Sequence, residues 1–443
     1  MTFRASALFA SRLILPRTAK NSSARRSIFG AIICIGIGII PLVVVMSFAD
    51  GMINGMTERI VGLSSGELHA YIRRGSLGST ARDTLVSFCE EFRAVQGVQD
   101  CFILVEGDAL AAGKTYRTGA RLRAVEPDIF ERNEQFRRFF RVQCGSLADF
   151  RSAERGAVLG EKVAGLLGVT AGDSFRVILT KQNAAGATVP VSASFTVSAV
   201  VSSGYQELDA LWIFIPLEKG LSLIPAQSAN VSILIDSTYP LSSDYGRIKS
   251  DLNRMLSGYG RVYVWREVNP AQFQNFSSTK VMLTFIMLLI VLVASVNISS
   301  ALVMLVMERR KEIAILKSLG ASPAGITISF LLAGVCCGTL GTLVGLPIGI
   351  LCAVNINVIV FYIEKAVNLC AKVIFLLEGN SLSHFEGMQL LNPAYYLTEI
   401  PVSVPFENVF LIAGAVILLS LFVSVIPAVK AGREIPLETF RKV

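Results

Sequence analysis

The chain has 443 residues, 52% of them hydrophobic and 17% charged, with a mean hydropathy of +0.57. An ordinary soluble domain carries about 25% charged residues, so the chain as a whole is not one, and its apolar excess collects in a few uncharged runs. The formal charge of +8 does not indicate nucleic-acid binding, because the long segment 51–280 is nearly balanced at 25 basic to 23 acidic residues.

Residues 1–27 hold six basic residues (Arg4, Arg12, Arg17, Lys20, Arg25 and Arg26) and no acid. They read as a cytosolic amphipathic segment before the uncharged run 28–49. A helix needs about 20 apolar residues, at ~1.5 Å each, to cross the ~30 Å hydrocarbon core. The basic flank and the small-x-small Ser47-Phe48-Ala49 also suit a cleaved signal. The run of 22 exceeds the roughly 7–15 residues of a signal core, which favours a retained anchor.

Segment 50–279 alternates strand and helix signals. Strands are predicted over 101–106, 120–125, 157–160, 174–179, 195–201, 211–215, 231–235 and 262–265, with 174–179 and 195–201 paired. Helices are predicted over 161–167, closed by Gly168, and over 242–256. These elements predict an α+β extracytosolic domain. Residues 180–191, TKQNAAGATVPV, are long for a hairpin turn and read either as a plain loop tip or as a protruding hairpin that touches a soluble partner. Its candidate contacts are Lys181, Gln182, Asn183, Gly186 and Pro190. GDALAAGKT at 107–115 imitates a phosphate loop, but its first glycine stands one residue too far from Gly113-Lys114-Thr115. Eight cysteines without a C-x-x-C, and only His69 and His384, offer no metal or redox framework; Cys89 and Cys101 read as a disulfide or as small buried hydrophobes. Nor does the sequence hold a nucleophile–base cluster, so an enzyme is not expected.

Residues 281–307 are uncharged for 27 positions, ~40 Å of helix. A span over 280–307 reads either as an ordinary tilted span or as one that projects beyond the bilayer and joins 272–280 into one stalk. After the bridge 308–322, ERRKEIAILKSLGAS, a third span is expected over 323–363, with Ser322 as N-cap and Pro323 at N1. Gly334, Gly338, Gly341 and Gly345 are expected near one face for close helix packing, and Pro347 is expected to kink the helix. An outer loop, 364–407, precedes a fourth span over 408–429 and a tail, 430–443. Basic residues exceed acids by four to two in both the bridge and the tail, whereas loop 364–407 holds two against five. Both termini and the bridge are therefore cytosolic. No span carries an ionisable residue near its centre, which argues against ion-driven transport and implies an external energy source.

The bridge suits that need. Ile313, Leu316 and Leu319 recur at helical spacing, Glu308, Arg309, Arg310, Lys311 and Glu312 are expected to be exposed, and Gly320 closes the helix. A bare charge run of this kind reads as a solvated face, but its place between two spans favours a docking helix that would couple a soluble ATPase to them, with ATP and Mg held by that partner and no cofactor in this chain.

The segment MERRKEIAILKSLGAS resembles the signature of FtsX/MacB-type ABC transporter permeases. That resemblance implies four transmembrane helices, a MacB-like periplasmic domain, two paired permease subunits and a separate ABC-type ATPase docked on the bridge. FRASALFASRLILPR, GAVLGEKVAGLLGVTAGDSFRVIL, VASVNISSALVMLVM and YYLTEIPVSVPFENV resemble the lipoprotein-releasing LolC/LolE branch. The branch implies an inner-membrane permease that passes acylated lipoproteins to a LolA-like periplasmic chaperone engaged by a hook, whose place 180–191 occupies. It also implies a lipid cavity lined by the first span, at positions that include Ile40, Val43, Val44 and Met46. The alternatives are a MacB-like exporter of periplasmic peptides or toxins and an FtsX-like regulator of cell-wall hydrolases.

Overall fold

The computed structural model describes residues 23–77, 81–114, 116–182, 188–239, 245–377 and 406–433. The chain divides into a helical unit (Met1–Gly51, Ser277–Met388, Pro401–Val443) and a second unit (Met52–Phe276 with Gln389–Ile400).

Among the described residues, six helices bear on the helical unit: α1 (Ser23–Ile60), α2 (Pro270–Glu308), α3 (Arg310–Ser318), α4 (Pro323–Val354), α5 (Ile356–Leu377) and α6 (Phe406–Arg433). Parts of α1, α2, α4 and α6 are long and apolar enough to cross a membrane. α2 runs unbroken for 39 residues, so 272–280 continues into the second expected span as one helix. The third span differs from expectation. The helix expected over 323–363 stops at Val354, and α5 then occupies both its tail and the start of the expected 364–407 loop. The interruption is one residue long: Asn355 leaves helical geometry at φ −97° and ψ 20°, while its side chain and its backbone N–H both donate to the Leu351 carbonyl, at 2.8 and 3.2 Å. Ser322 caps α4 as anticipated, its hydroxyl accepting from the Gly325 N–H at 3.2 Å. Pro347 lies inside α4, which is one continuous helical element across it.

The α4 glycines face two neighbours instead of the expected single face. Gly334 and Gly338 lie against Ser424 and Ser420 of α6, whereas Gly341 and Gly345 lie against Ile35 and Gly36 of α1. A Cβ on Gly345 would stand 2.6 Å from the Gly36 carbonyl oxygen, so backbone would have to move. Overpacking of this kind costs about 1–3 kcal/mol. Gly345→Ala is therefore expected to lower the melting midpoint of the detergent-solubilised protein. Gly414→Ala, where a Cβ would meet nothing within 4 Å, should leave it unchanged; equal midpoints for the two variants would contradict this packing.

The second unit is an α+β domain on one ten-stranded sheet. Its strands are β1 (Leu68–Ile72), β2 (Val98–Ala112), β3 (Arg117–Val125), β4 (Arg141–Gly145), β5 (Gly156–Gly160), β6 (Ser174–Gln182), β7 (Thr188–Ser202), β8 (Trp212–Pro216), β9 (Asn230–Ser237) and β10 (Gly260–Val264). The order is β10-β1-β9-β2-β3-β8-β5-β7-β4, with β6 paired to β2 and β7. Two pairings, β3–β8 and β5–β7, are parallel. One buried cluster contains Leu85, Phe92, Ile103 and Ile213; another contains Phe102, Phe130, Phe136 and Phe214. All eight predicted strands are found. β1 and β4 were not anticipated, because LHAYI and RVQCG lack a clean alternation. The helix predicted over 242–256 is Gly246–Met255, and 242–244 lie outside the described residues. The phosphate-loop imitation is mostly strand β2, and Lys114 pairs with Asp173. Cys89 and Cys101 are both free and buried.

Candidate functional site

The bridge is an ordered helix with a defined stop. The Gly320 N–H bonds the Lys317 carbonyl at 3.0 Å and the Ala321 N–H bonds the Leu316 carbonyl at 2.9 Å, with Gly320 at φ 91°. This is a Schellman closure, which favours glycine at that position. Lys317 Nζ donates to the Gly432 carbonyl of α6 at 2.6 Å and fastens α3 to the last helix. Glu308, Lys311, Glu312 and Gly320 are exposed, as expected. Arg309 and Arg310 are half-buried, and Arg309 is ion-paired to Glu312. The apolar positions do not share one outer face. Ile313 is fully buried in the helical core with Leu305, Ile326 and Phe330, and Leu316 is half-buried. Leu319 is 79% exposed and Ile315 50%, so these two form the exposed apolar surface of the bridge. Sequence spacing missed Ile315 because i, i+3, i+6 counting selects a single stripe.

The four cavity candidates on α1 turn mostly towards α4. Val43 is buried, and both Ile40 and Val43 lie against Gly349; Met46 packs on the helical core and Val44 is half-buried. A different face of α1 lines an apolar groove with α2. Cys34, Ile37 and Gly38 oppose Ile286, Leu289, Ile290 and Val293 around a space of about 460 Å³. Asp50 and Lys280 join the same two helices through an ion pair at 2.8 Å, with the Asp50 side chain 8% exposed. Neither residue was singled out from the sequence, in which they stand far apart.

In the α+β domain, a π-helical turn (Val61–Ser65) ends at the sheet. The buried Arg123 guanidinium donates to the Leu63 and Ser64 carbonyls at 2.6 and 3.0 Å. It also approaches Glu106 at 3.0 Å and lies 4.2 Å from the Trp212 ring centroid. These contacts satisfy helix-terminal carbonyls that would otherwise be buried without donors.

Beside this joint, burial pushes the Glu67 carboxyl up to about 7. Burial, and then the Glu67 charge, push Asp236 up to about 7 as well. Asn133 donates to Asp236 at 2.9 Å. Burial pushes His69 down to about 4, and its Nδ1 faces the Ser65 carbonyl at 3.0 Å. Between about pH 4 and 7 the folded chain holds two carboxyl protons that the unfolded chain releases; between about pH 4 and 6.5 it lacks one imidazole proton that the unfolded chain binds. The folded state thus keeps the larger share of protons. The domain's melting midpoint, followed by Trp212 and Trp265 emission, should rise as pH falls from about 7.5 to about 5.5, and Asp236→Asn should flatten the trend. A midpoint that drops on acidification would argue against this burial.

The hairpin is tighter than its sequence implied. β6 and β7 continue with Thr180 opposite Pro190, Lys181 opposite Val189 and Gln182 opposite Thr188, leaving 183–187 as the connection. Asn183 and Gly186 lie outside the described residues.

Two family models match the chain. Residues 28–241 match the MacB-like periplasmic core domain, and residues 284–436 match the FtsX-like permease C-terminal domain. The lipoprotein-releasing system transmembrane protein LolC of Xylella fastidiosa is 25% identical over 418 residues, covering 93% of this chain and 92% of its own. The LolC protein of Neisseria meningitidis is 28% identical over 419 residues, 92% of each chain. The LolE protein of Haemophilus influenzae is 25% identical over 288 residues, 64% of each. This chain joins a MacB-like periplasmic core domain to an FtsX-like permease C-terminal domain, and along most of its length it resembles the lipoprotein-releasing permeases of the LolC/LolE type.

Proposed function

We propose that this chain is the permease subunit of an ATP-driven ABC complex that extracts lipoproteins from the inner membrane for transfer to a periplasmic chaperone and the outer membrane. The observation that carries this reading is its likeness, across 93% of the chain, to a lipoprotein-releasing transmembrane protein. In this reading α1, α2, α4 and α6 each cross the membrane. Both termini and the bridge face the cytosol, and the α+β domain faces the periplasm. A separate ABC-type ATPase, with its ATP and Mg, seats on Leu319, Ile315 and the charged residues around them. A second permease subunit covers the apolar surface of α2, where Val281, Phe285 and Leu288 are exposed.

Energetics constrain the route. At ~0.8 kcal/mol per CH₂, moving three acyl chains into water would cost on the order of 30 kcal/mol or more. The chains must therefore pass from bilayer to an apolar groove and on to an apolar chaperone. The space between α1 and α2 supplies such a groove. The β6–β7 hairpin is the chaperone hook in this scheme. Depleting the chain in its host should leave outer-membrane lipoproteins in the inner membrane, and the purified complex should carry acylated protein. Normal lipoprotein sorting after depletion would overturn the reading.

A further inference from the structure

Helix α5 carries chemistry that suits neither water nor the bilayer centre. Val358, Tyr362 and Leu369 are 52, 64 and 64% exposed. At ~100° per residue they fall within about 40° of one another around the helix. Lys365 and Lys372 border this stripe within about 40° of Val358, while Asn357, Glu364 and Asn368 lie about 80–120° from Val358 on that same side. Phe361 interrupts the polar side, and its ring packs on Tyr362 with centroids 5.8 Å apart.

A spanning orientation would place Glu364 and Lys365, ninth and tenth of 22 residues, at the membrane midplane, where ionisable groups are strongly disfavoured. Full immersion in water would leave the apolar stripe wet. The preceding helix fixes the depth. α4 has 32 residues, ~48 Å of helix. At an ordinary tilt of ~20° it rises ~45 Å, about the thickness of a bilayer with its headgroups. A helix that starts in one headgroup layer thus ends in the other, where the single residue Asn355 separates α4 from α5.

We propose that α5 is a membrane-surface helix. Val358, Tyr362 and Leu369 sit in the upper acyl layer, and Lys365 and Lys372 extend from the border of the stripe to lipid phosphates. The proposal rests on the reading that α4 spans the membrane and is independent of what the permease transports.

The native tryptophans, Trp212 and Trp265, are buried in the α+β domain and provide a baseline. Full-length Tyr362→Trp, Leu369→Trp and Asn368→Trp variants would be reconstituted in phosphatidylcholine–phosphatidylglycerol vesicles with lipids brominated near the headgroup or near the chain end. Shallow bromine should quench the added emission at 362 and 369 roughly twofold more than deep bromine, and should quench 368 little. Quenching absent at 362 and 369 would mean that water or another protein covers the stripe, and strongest quenching by deep bromine would mean a spanning helix. Either result overturns the proposal. A variant with altered baseline emission is replaced by Val358→Trp, on the same stripe.

Discussion

Leu319→Asp is expected to strip the ATPase from the purified permease while leaving the permease itself folded. Leu319 is 79% exposed at the end of α3, so a charge there meets water and disturbs nothing inside the subunit. In a docked complex the same side chain would be desolvated. Interface anchors of this kind contribute about 2 kcal/mol or more, which is about 30-fold in affinity. Ile313→Asp tests the opposite case. Ile313 is fully buried in the helical core, and an unpaired carboxylate there costs several kcal/mol. That variant should lower the yield and melting midpoint of the permease as well as its ATPase binding. Copurification of the ATPase and ATP-driven cargo release from proteoliposomes provide the readouts. Retention of both by Leu319→Asp together with Ile315→Asp would remove the bridge from the coupling path.

The contrast between these two isoleucine and leucine sites shows where sequence reading ends. The apolar runs were legible because exclusion of charge is a one-dimensional property. Ser322, Pro323 and Gly320 were legible because caps and closures act within a few residues of themselves. The inward face of α1 was not, since a helix that is apolar all round carries no periodicity. The division of the α4 glycines between α1 and α6 depends on which neighbours stand where. The one-residue interruption at Asn355 carries no charge to announce it. Arg123 looked like any of the 25 basic residues of segment 51–280, and Asp50 and Lys280 come together only once α1 and α2 are paired.

Arg123→Met should destabilise the α+β domain more than any exposed substitution in it. The side chain is fully buried, and burial, ahead of the nearby Arg121 charge and against the pull of Glu106, shifts its pKa downwards. Its retention there depends on Glu106, the carbonyls of Leu63 and Ser64, and the faces of Trp212 and Phe214. Methionine fills much of the volume but donates nothing, so two helix-terminal carbonyls lose their donors and Glu106 loses its counter-charge. Breaking a buried pair from one side costs about 3–5 kcal/mol. For a domain of this size that corresponds to a fall of about 6–20 °C in melting midpoint. Arg123→Lys keeps the charge but cannot span both carbonyls with a planar fork, and should fall between parent and methionine variant. Trp212 emission supplies an independent readout, because the guanidinium leaves its ring face in both variants. A methionine variant that melts within a couple of degrees of the parent would show that the π-helical turn is held by its apolar contacts, with Leu63 the first candidate.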